Sequence, residues 1–167
     1  MHDKKRLIAG LLLLVVSHAY ADFNDGVVAL MAGKFDAALK VFVPLAETDN
    51  HAYAQYFLAR MYERGEGVEK DRKTAAKWYR KAAEKGVNDA QFRLATMYES
   101  GDGVPKDMEY AYAWYSVAAH LGSVKAPPAM ERTRSQMRED EFVEADKLSR
   151  DLISKYGTVP ETTARSQ

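Results

Sequence analysis

Between residues 54 and 125 apolar residues recur with the spacing of helical faces, and the whole pattern then recurs. Ala54, Leu58, Met61 and Tyr62 fall at i, i+4, i+7 and i+8, the stripe of one helix. Ala75, Trp78, Tyr79, Ala82 and Ala83 fall at i, i+3, i+4, i+7 and i+8, the stripe of a second. Gly65 and Gly67 lie between them, where positive φ ends the first helix, and Asp71 stands where an N-cap oxygen is needed for the second. Gly86 ends the second helix in the same way. Sliding residues 54–89 onto 90–125 makes 18 of 36 positions identical without a gap. Ala90, Leu94, Tyr98, Gly101, Gly103, Trp114, Tyr115, Ala118 and Gly122 answer Ala54, Leu58, Tyr62, Gly65, Gly67, Trp78, Tyr79, Ala82 and Gly86. A period between 20 and 50 residues marks units that bury their apolar faces only by stacking on one another. The pattern therefore predicts an all-α chain, an α-solenoid of antiparallel helix pairs with two full repeats. Most identical positions carry packing and turn geometry, with Trp78 and Trp114 filling the space between helices that the alanines bring close.

The flanks read as caps. Residues 22–51 hold a degenerate helix pair turning at Gly33-Lys34, with Phe35, Ala38, Leu39, Phe42 and Leu45 spaced for its second helix. The repeats are expected at 52–89 and 90–125. Residues 126–157 supply C-terminal capping helices: a weakly apolar one after Pro127-Pro128, then one with Phe142, Ala145, Leu148, Leu152, Ile153 and Tyr156 on a single face. A polar-backed terminal pair would seal the open end of a solenoid. Residues 158–167 have no periodicity and read as a flexible tail. The first 21 residues are of another kind. Lys4, Lys5 and Arg6 precede the apolar run Leu7 to Val16, followed by Ala19 and Ala21 at cleavage-site spacing. This is the layout of a secretory signal peptide cut after Ala21. The apolar run is about half of what spans a bilayer, so the expected mature form, starting at Asp22, has no membrane span and is periplasmic or secreted.

Composition narrows the chemistry. Lys+Arg and Asp+Glu both total 24, and no long run of like charge occurs, which argues against a nucleic-acid module. There is no cysteine, so disulfides, thiol nucleophiles and lipid attachment through Cys are excluded, and stability must come from packing. The expected mature chain keeps only His51 and His120, in different segments, too few for a zinc site. His120 stands where the other copy has Glu84, a surface position. Glu63 and Glu99 recur at the ends of the first helices, but nothing places two carboxylates in environments that would split their pKa values for acid/base work. The loops GEGVEKD and GDGVPKD lack the ligand order of a calcium loop and read as turns. No cofactor motif is present.

The two-part pattern A-Q-[YF]-x-L-A-x-M-Y-E-x-G-x-G-V-x-K-D, then A-x-x-W-Y-x-x-A-A-x-x-G, occurs twice and resembles the Sel-1-like repeat, a relative of the tetratricopeptide repeat. The family commonly has Asn after the Tyr of A-Q-Y, where this chain has Phe57 and Arg93; a changing side chain at matching positions suits an outward, variable site. In related units the first helix lines a concave face. By position the resemblance implies Tyr53, Tyr56, Phe57, Arg60 and Glu63, with Asp89, Phe92, Arg93, Thr96 and Glu99, as the partner-binding set. Aromatic side chains with Arg are a hot-spot composition for gripping protein or peptide. The function implied is an exported, non-catalytic adaptor for a partner protein or peptide. The alternatives are a cell-wall-directed enzyme and a peptidoglycan- or glycan-binding envelope protein. Cysteine-rich relatives linked to β-lactam or peptidoglycan chemistry make the enzyme a poor analogy for a chain without cysteine.

Overall fold

The computed structural model describes residues 23–158; the signal peptide expected at 1–21 and residues 159–167 of the expected tail lie outside the described residues. The described chain is all-helical. Helix α1 covers residues 23–31, followed by α2 (Phe35–Glu47), α3 (Ala52–Arg64), α4 (Arg72–Ala83), α5 (Asn88–Ser100), α6 (Met108–His120), α7 (Ala126–Arg134) and α8 (Glu139–Tyr156). Each helix from α2 to α6 packs on the next, most closely within the pairs α3–α4 and α5–α6, which are the two copies of the repeat. This is the solenoid that the doubled pattern predicts.

The local chemistry explains the boundaries. Asp71 accepts from the Lys73 and Thr74 amides at 2.9 and 3.1 Å, and Asp107 from the Tyr110 amide at 3.0 Å, satisfying donors that the first turn leaves orphaned. Helices α3 and α5 end on Gly65 and Gly101, both left-handed, whose amides return to Met61 and Met97. Gly67 and Gly103 meet a second constraint besides their φ of +74° and +77°. A Cβ on Gly67 would lie 2.7 Å from the Phe35 Cβ, and one on Gly103 would run into the Arg72 carbonyl. Each loop thus presses on the start of the second helix of the preceding unit, an approach only glycine allows. In α7 the two prolines sit in the first turn, where a missing amide donor costs nothing.

Alanine sets the interhelical spacing. Ala54, Ala59, Ala75, Ala82 and Ala83, with Ala90, Ala95, Ala111 and Ala118, are fully buried. Leu58 and Leu94 lie among them, each worth roughly 1.5–3 kcal/mol of transfer free energy. Two buried amides join units. Gln55 Nε2 donates to the Ala46 carbonyl at 3.1 Å, and Gln91 Nε2 to the Ala83 carbonyl at 3.0 Å. Each ties a first helix to a carbonyl in the last turn of the helix before it. The recurrence of this bond shows that α1–α2 stands to the first repeat much as the first repeat stands to the second.

The C-terminal end is not the simple hairpin that a terminal helix pair suggests. Helix α8 packs along α6 instead of forming a close antiparallel pair with α7. Its start meets the start of α6 through Phe142 edge-on to Tyr112, and its end reaches His120, so α8 and α6 run the same way. Near that end the Tyr156 ring stacks on Trp114 with centroids 5.5 Å apart, and the Tyr156 carbonyl accepts from Gln91. Small side chains make this approach possible: Ala113, Ser116 and Val117 of α6 are buried. The two tryptophans therefore differ. Trp114 is buried beneath α8, whereas Trp78 is only half-buried, with the Lys81 ammonium 4.0 Å from its ring centroid.

Candidate functional site

The first helices α3 and α5 carry the residues expected to grip a partner, and their side chains divide into two groups. One group is engaged in internal bonds. The Tyr79 hydroxyl donates to Glu63 Oε2 at 2.7 Å, and 36 residues on the Tyr115 hydroxyl donates to Glu99 Oε2 at the same distance. Tyrosine on the second helix is thereby fastened to glutamate at the end of the first in each repeat. Burial, then the carboxylate acceptor, pushes the Tyr79 phenol up, and the same causes push that of Tyr115 up to about 12.

Each glutamate also faces an arginine from the following unit. Arg93 comes within 4.0 Å of Glu63, and Arg132 of α7 grips Glu99 through two bonds of 2.9 and 2.8 Å. The paired Arg132 bonds are the chief reason the Glu99 carboxyl is held below its usual range, with the Tyr115 hydroxyl assisting. Tyr, Glu and Arg thus form a latch that is used twice, across the junctions α3–α5 and α5–α7. Thr96 belongs to the second latch, its hydroxyl 3.1 Å from that of Tyr115.

Phe57 and Arg93, a matched pair of different chemistry, both face the preceding unit. Phe57 stacks on Phe42 of α2 at 5.3 Å with rings nearly parallel and also meets Phe23 at 5.9 Å. Arg93 meets Glu63. The side chain at this position varies as the surface before it varies, and the Arg93 side chain stays 43% exposed.

The second group remains open. Arg60 lies over the rings of Tyr56 and Phe57, 5.8 and 5.5 Å from their centroids, and has no carboxylate partner among the described residues. Asp89 is exposed and unpaired among them, close enough to Tyr56 to help raise its phenol, after burial. Tyr53, Tyr56 and Phe92 are half-buried, and Phe92 leans on Tyr115 at 5.2 Å. The open surface is therefore a cation and a carboxylate around the exposed edges of three aromatic rings, which can accept a peptide's own charges and an apolar side chain. Among the described residues no group of three or more His, Asp or Glu is placed to hold a metal ion, and no helix is long and apolar enough to cross a membrane.

Three residues carry bonds that the spacing does not signal. Arg132 lies outside the repeat and 33 residues from Glu99, so no spacing signals it. Gln55 and Gln91 were visible as an identical pair, but a buried amide at matched positions was the only sign of their bond to the preceding helix.

The comparisons agree with this architecture. The Sel1 repeat family model matches residues 52–87 and 88–123, placing the junction two residues before the expected one. Among solved structures, the chain is similar to a protective antigen present in uropathogenic Escherichia coli strains and displaying an SLR fold. The identity is 30% and the TM-score 0.79, over 83% of this chain and 30% of that one. It is also similar to a Sel1 repeat protein from Oxalobacter formigenes, at 31% identity and TM-score 0.62, over 78% of this chain and 55% of that one. The chain thus spans about a third to a half of the length of these relatives. No curated protein matches it.

Proposed function

Since the chain is a Sel1-repeat protein, and Sel1 repeats generally mediate protein–protein interactions, we propose that it is an exported, non-catalytic scaffold holding a partner protein or peptide on the face of α3 and α5. The observation that carries this reading is the open set around Arg60 and Asp89. Two charged groups without an ion-pair partner among the described residues flank the half-buried rings of Tyr53, Tyr56 and Phe92, beside charged groups that are latched internally. Export rests on the signal-peptide layout of residues 1–21, with the mature chain beginning at Asp22.

The latches decide which substitutions test it. Removing Glu63 or Glu99 would loosen a junction as well as alter the surface, so loss of binding would have two causes. Arg60→Ala combined with Asp89→Ala breaks neither latch. The expected result is loss of the partner recovered by crosslinking in cells, with an unchanged helical circular-dichroism spectrum and urea midpoint. Undiminished partner recovery, or pelleting with peptidoglycan in place of a protein partner, would refute this site. Cell fractionation and the mass of the purified protein test export, which requires a chain that starts near Asp22.

A further inference from the structure

The two copies of the second helix are nearly alike on their inner sides and opposite on their outer ones. On α4, Lys73, Lys77 and Lys81 fall at i, i+4 and i+8, on the side away from the buried Ala75, Tyr79, Ala82 and Ala83. All three lysines are exposed, and none forms an ion pair among the described residues. The matching positions of α6 are Glu109, Ala113 and Val117, and the last two are completely buried. Residues 70–85 hold seven cations against Asp71 and Glu84, whereas residues 106–121 hold Lys106 against Asp107 and Glu109. In a chain without formal net charge this is a local concentration of positive charge on one helix.

What lies over α6 explains the difference. Helix α8 is the neighbour that α6 has and α4 lacks. It is an amphipathic helix with Glu139, Asp140 and Glu141 in its first turn, and it puts Tyr156 flat on Trp114. On α4 the equivalent tryptophan, Trp78, has the Lys81 ammonium over its ring in place of an aromatic partner. The outer face of α4 thus repeats the helix-bearing face of α6, with lysines where α6 has the small side chains that receive α8.

The geometry points to the outer face of α4 as a second docking surface, which takes an acidic amphipathic helix of another protein. Charge selects the occupant. Carboxylates spaced four residues apart rise about 6 Å per step, the rise from Lys73 to Lys77 to Lys81. An aromatic side chain of the same helix takes the place of the Lys81 ammonium on Trp78, as Tyr156 does on Trp114. Long lysines hold this helix farther out than Ala113 and Val117 hold α8, so the contact is polar and reversible rather than part of the core. It is separate from the Arg60–Asp89 surface on the first helices, and the two can be occupied independently.

The test uses the full chain and a fluorescein-labelled helical peptide with Glu at every fourth position and one Tyr on the same face. A scrambled peptide of identical composition is the control. Anisotropy is expected to show salt-sensitive binding of the patterned peptide, with a shift of tryptophan emission that Trp78→Phe removes. Lys73→Glu, Lys77→Glu and Lys81→Glu together are expected to weaken binding about tenfold or more. The corresponding Lys→Ala triple variant weakens it less, and Arg60→Ala with Asp89→Ala leaves it unchanged. Equal binding of the scrambled peptide, no binding of the patterned one, or binding insensitive to charge reversal would overturn the proposal. So would lysine-dependent binding of phosphatidylglycerol vesicles without peptide binding, or lysine-dependent self-association in sedimentation equilibrium.

Discussion

The Glu63–Tyr79 bond permits a quantitative test of whether the recurring glutamate is structural. Tyr79 is fully buried, and Glu63 is the acceptor of its hydroxyl. Glu63→Ala strands that hydroxyl, and a hydrogen bond to a charged group is worth about 1.5–3 kcal/mol. The glutamate side chain is 26% exposed, which moves the expected cost to the lower part of that range, about 2 kcal/mol. Tyr79→Phe removes the donor but leaves Glu63 facing Arg93 and solvent, at a cost of about 1.5 kcal/mol. With both changes no polar group is stranded, so the double variant should lose little more than Glu63→Ala alone. The cycle then gives a coupling of about 1.5 kcal/mol, read from urea unfolding followed by circular dichroism at constant m-value. The parallel cycle of Glu99→Ala with Tyr115→Phe should give a smaller coupling, because the Tyr115 hydroxyl keeps Thr96 at 3.1 Å. Additivity within about 0.3 kcal/mol in the first cycle would refute the latch and return Glu63 to the surface available for binding.

Three further outcomes follow from the same geometry. Gly103→Ala combines positive φ with a Cβ driven into the Arg72 carbonyl and should cost several kcal/mol, whereas Gly33→Ala, with positive φ but open space, should cost about 1. Comparable urea midpoints for the two variants would show that the loop does not press on α4. Trp114→Ala should cost roughly 3–5 kcal/mol and Trp78→Ala about half as much, since only the former is buried under α8; equal losses by thermal unfolding would contradict the asymmetry. His51 caps α3 by accepting from the Ala54 amide through Nδ1, which requires neutral imidazole, and burial followed by Lys85 lowers its pKa below 6.5. Because the folded value is the lower one, this stabilisation is complete above about pH 6.5 and lost as pH falls through the folded value. The urea midpoint should therefore drop on acidification by more in the wild type than in His51→Asn, which caps without titrating; parallel profiles would exclude the cap as the cause.

The fold was legible because the repeat reports packing. Identity at Ala54/Ala90, Leu58/Leu94 and Gly65/Gly101 states that two segments meet the same surroundings, and a helical period in both leaves few ways to stack them. The site was legible only in part. Position along a first helix selects Glu63 and Glu99 together with Arg60, because sequence spacing gives a face and not the partners on it. What separates them is a tyrosine 16 residues later in each copy and an arginine from the next unit, both long-range contacts. The path of α8 was equally hidden. Its apolar stripe was plain, but the stripe fits any complementary face, and α6 rather than α7 receives it because Ala113, Ser116 and Val117 clear the way.

The differences between the copies follow from the neighbours each copy has. The first repeat has the aromatic α2 before it, and Phe57 answers Phe42; the second has α3 before it, and Arg93 answers Glu63. The second repeat has α8 across its outer face, and Ala113 and Val117 are small and apolar; the first has no helix there, and Lys77 and Lys81 are exposed. In three of these four places the residue that departs from its counterpart matches a neighbour within the chain. The fourth, the lysine face of α4, departs just as sharply, and apart from Lys81 over Trp78 its ammonium groups form no ion pair among the described residues. Solvent alone requires polarity at those positions, but it does not require one sign of charge at three successive turns. That uniform sign is what an external acidic helix would explain, and the charge-reversal experiment measures it directly.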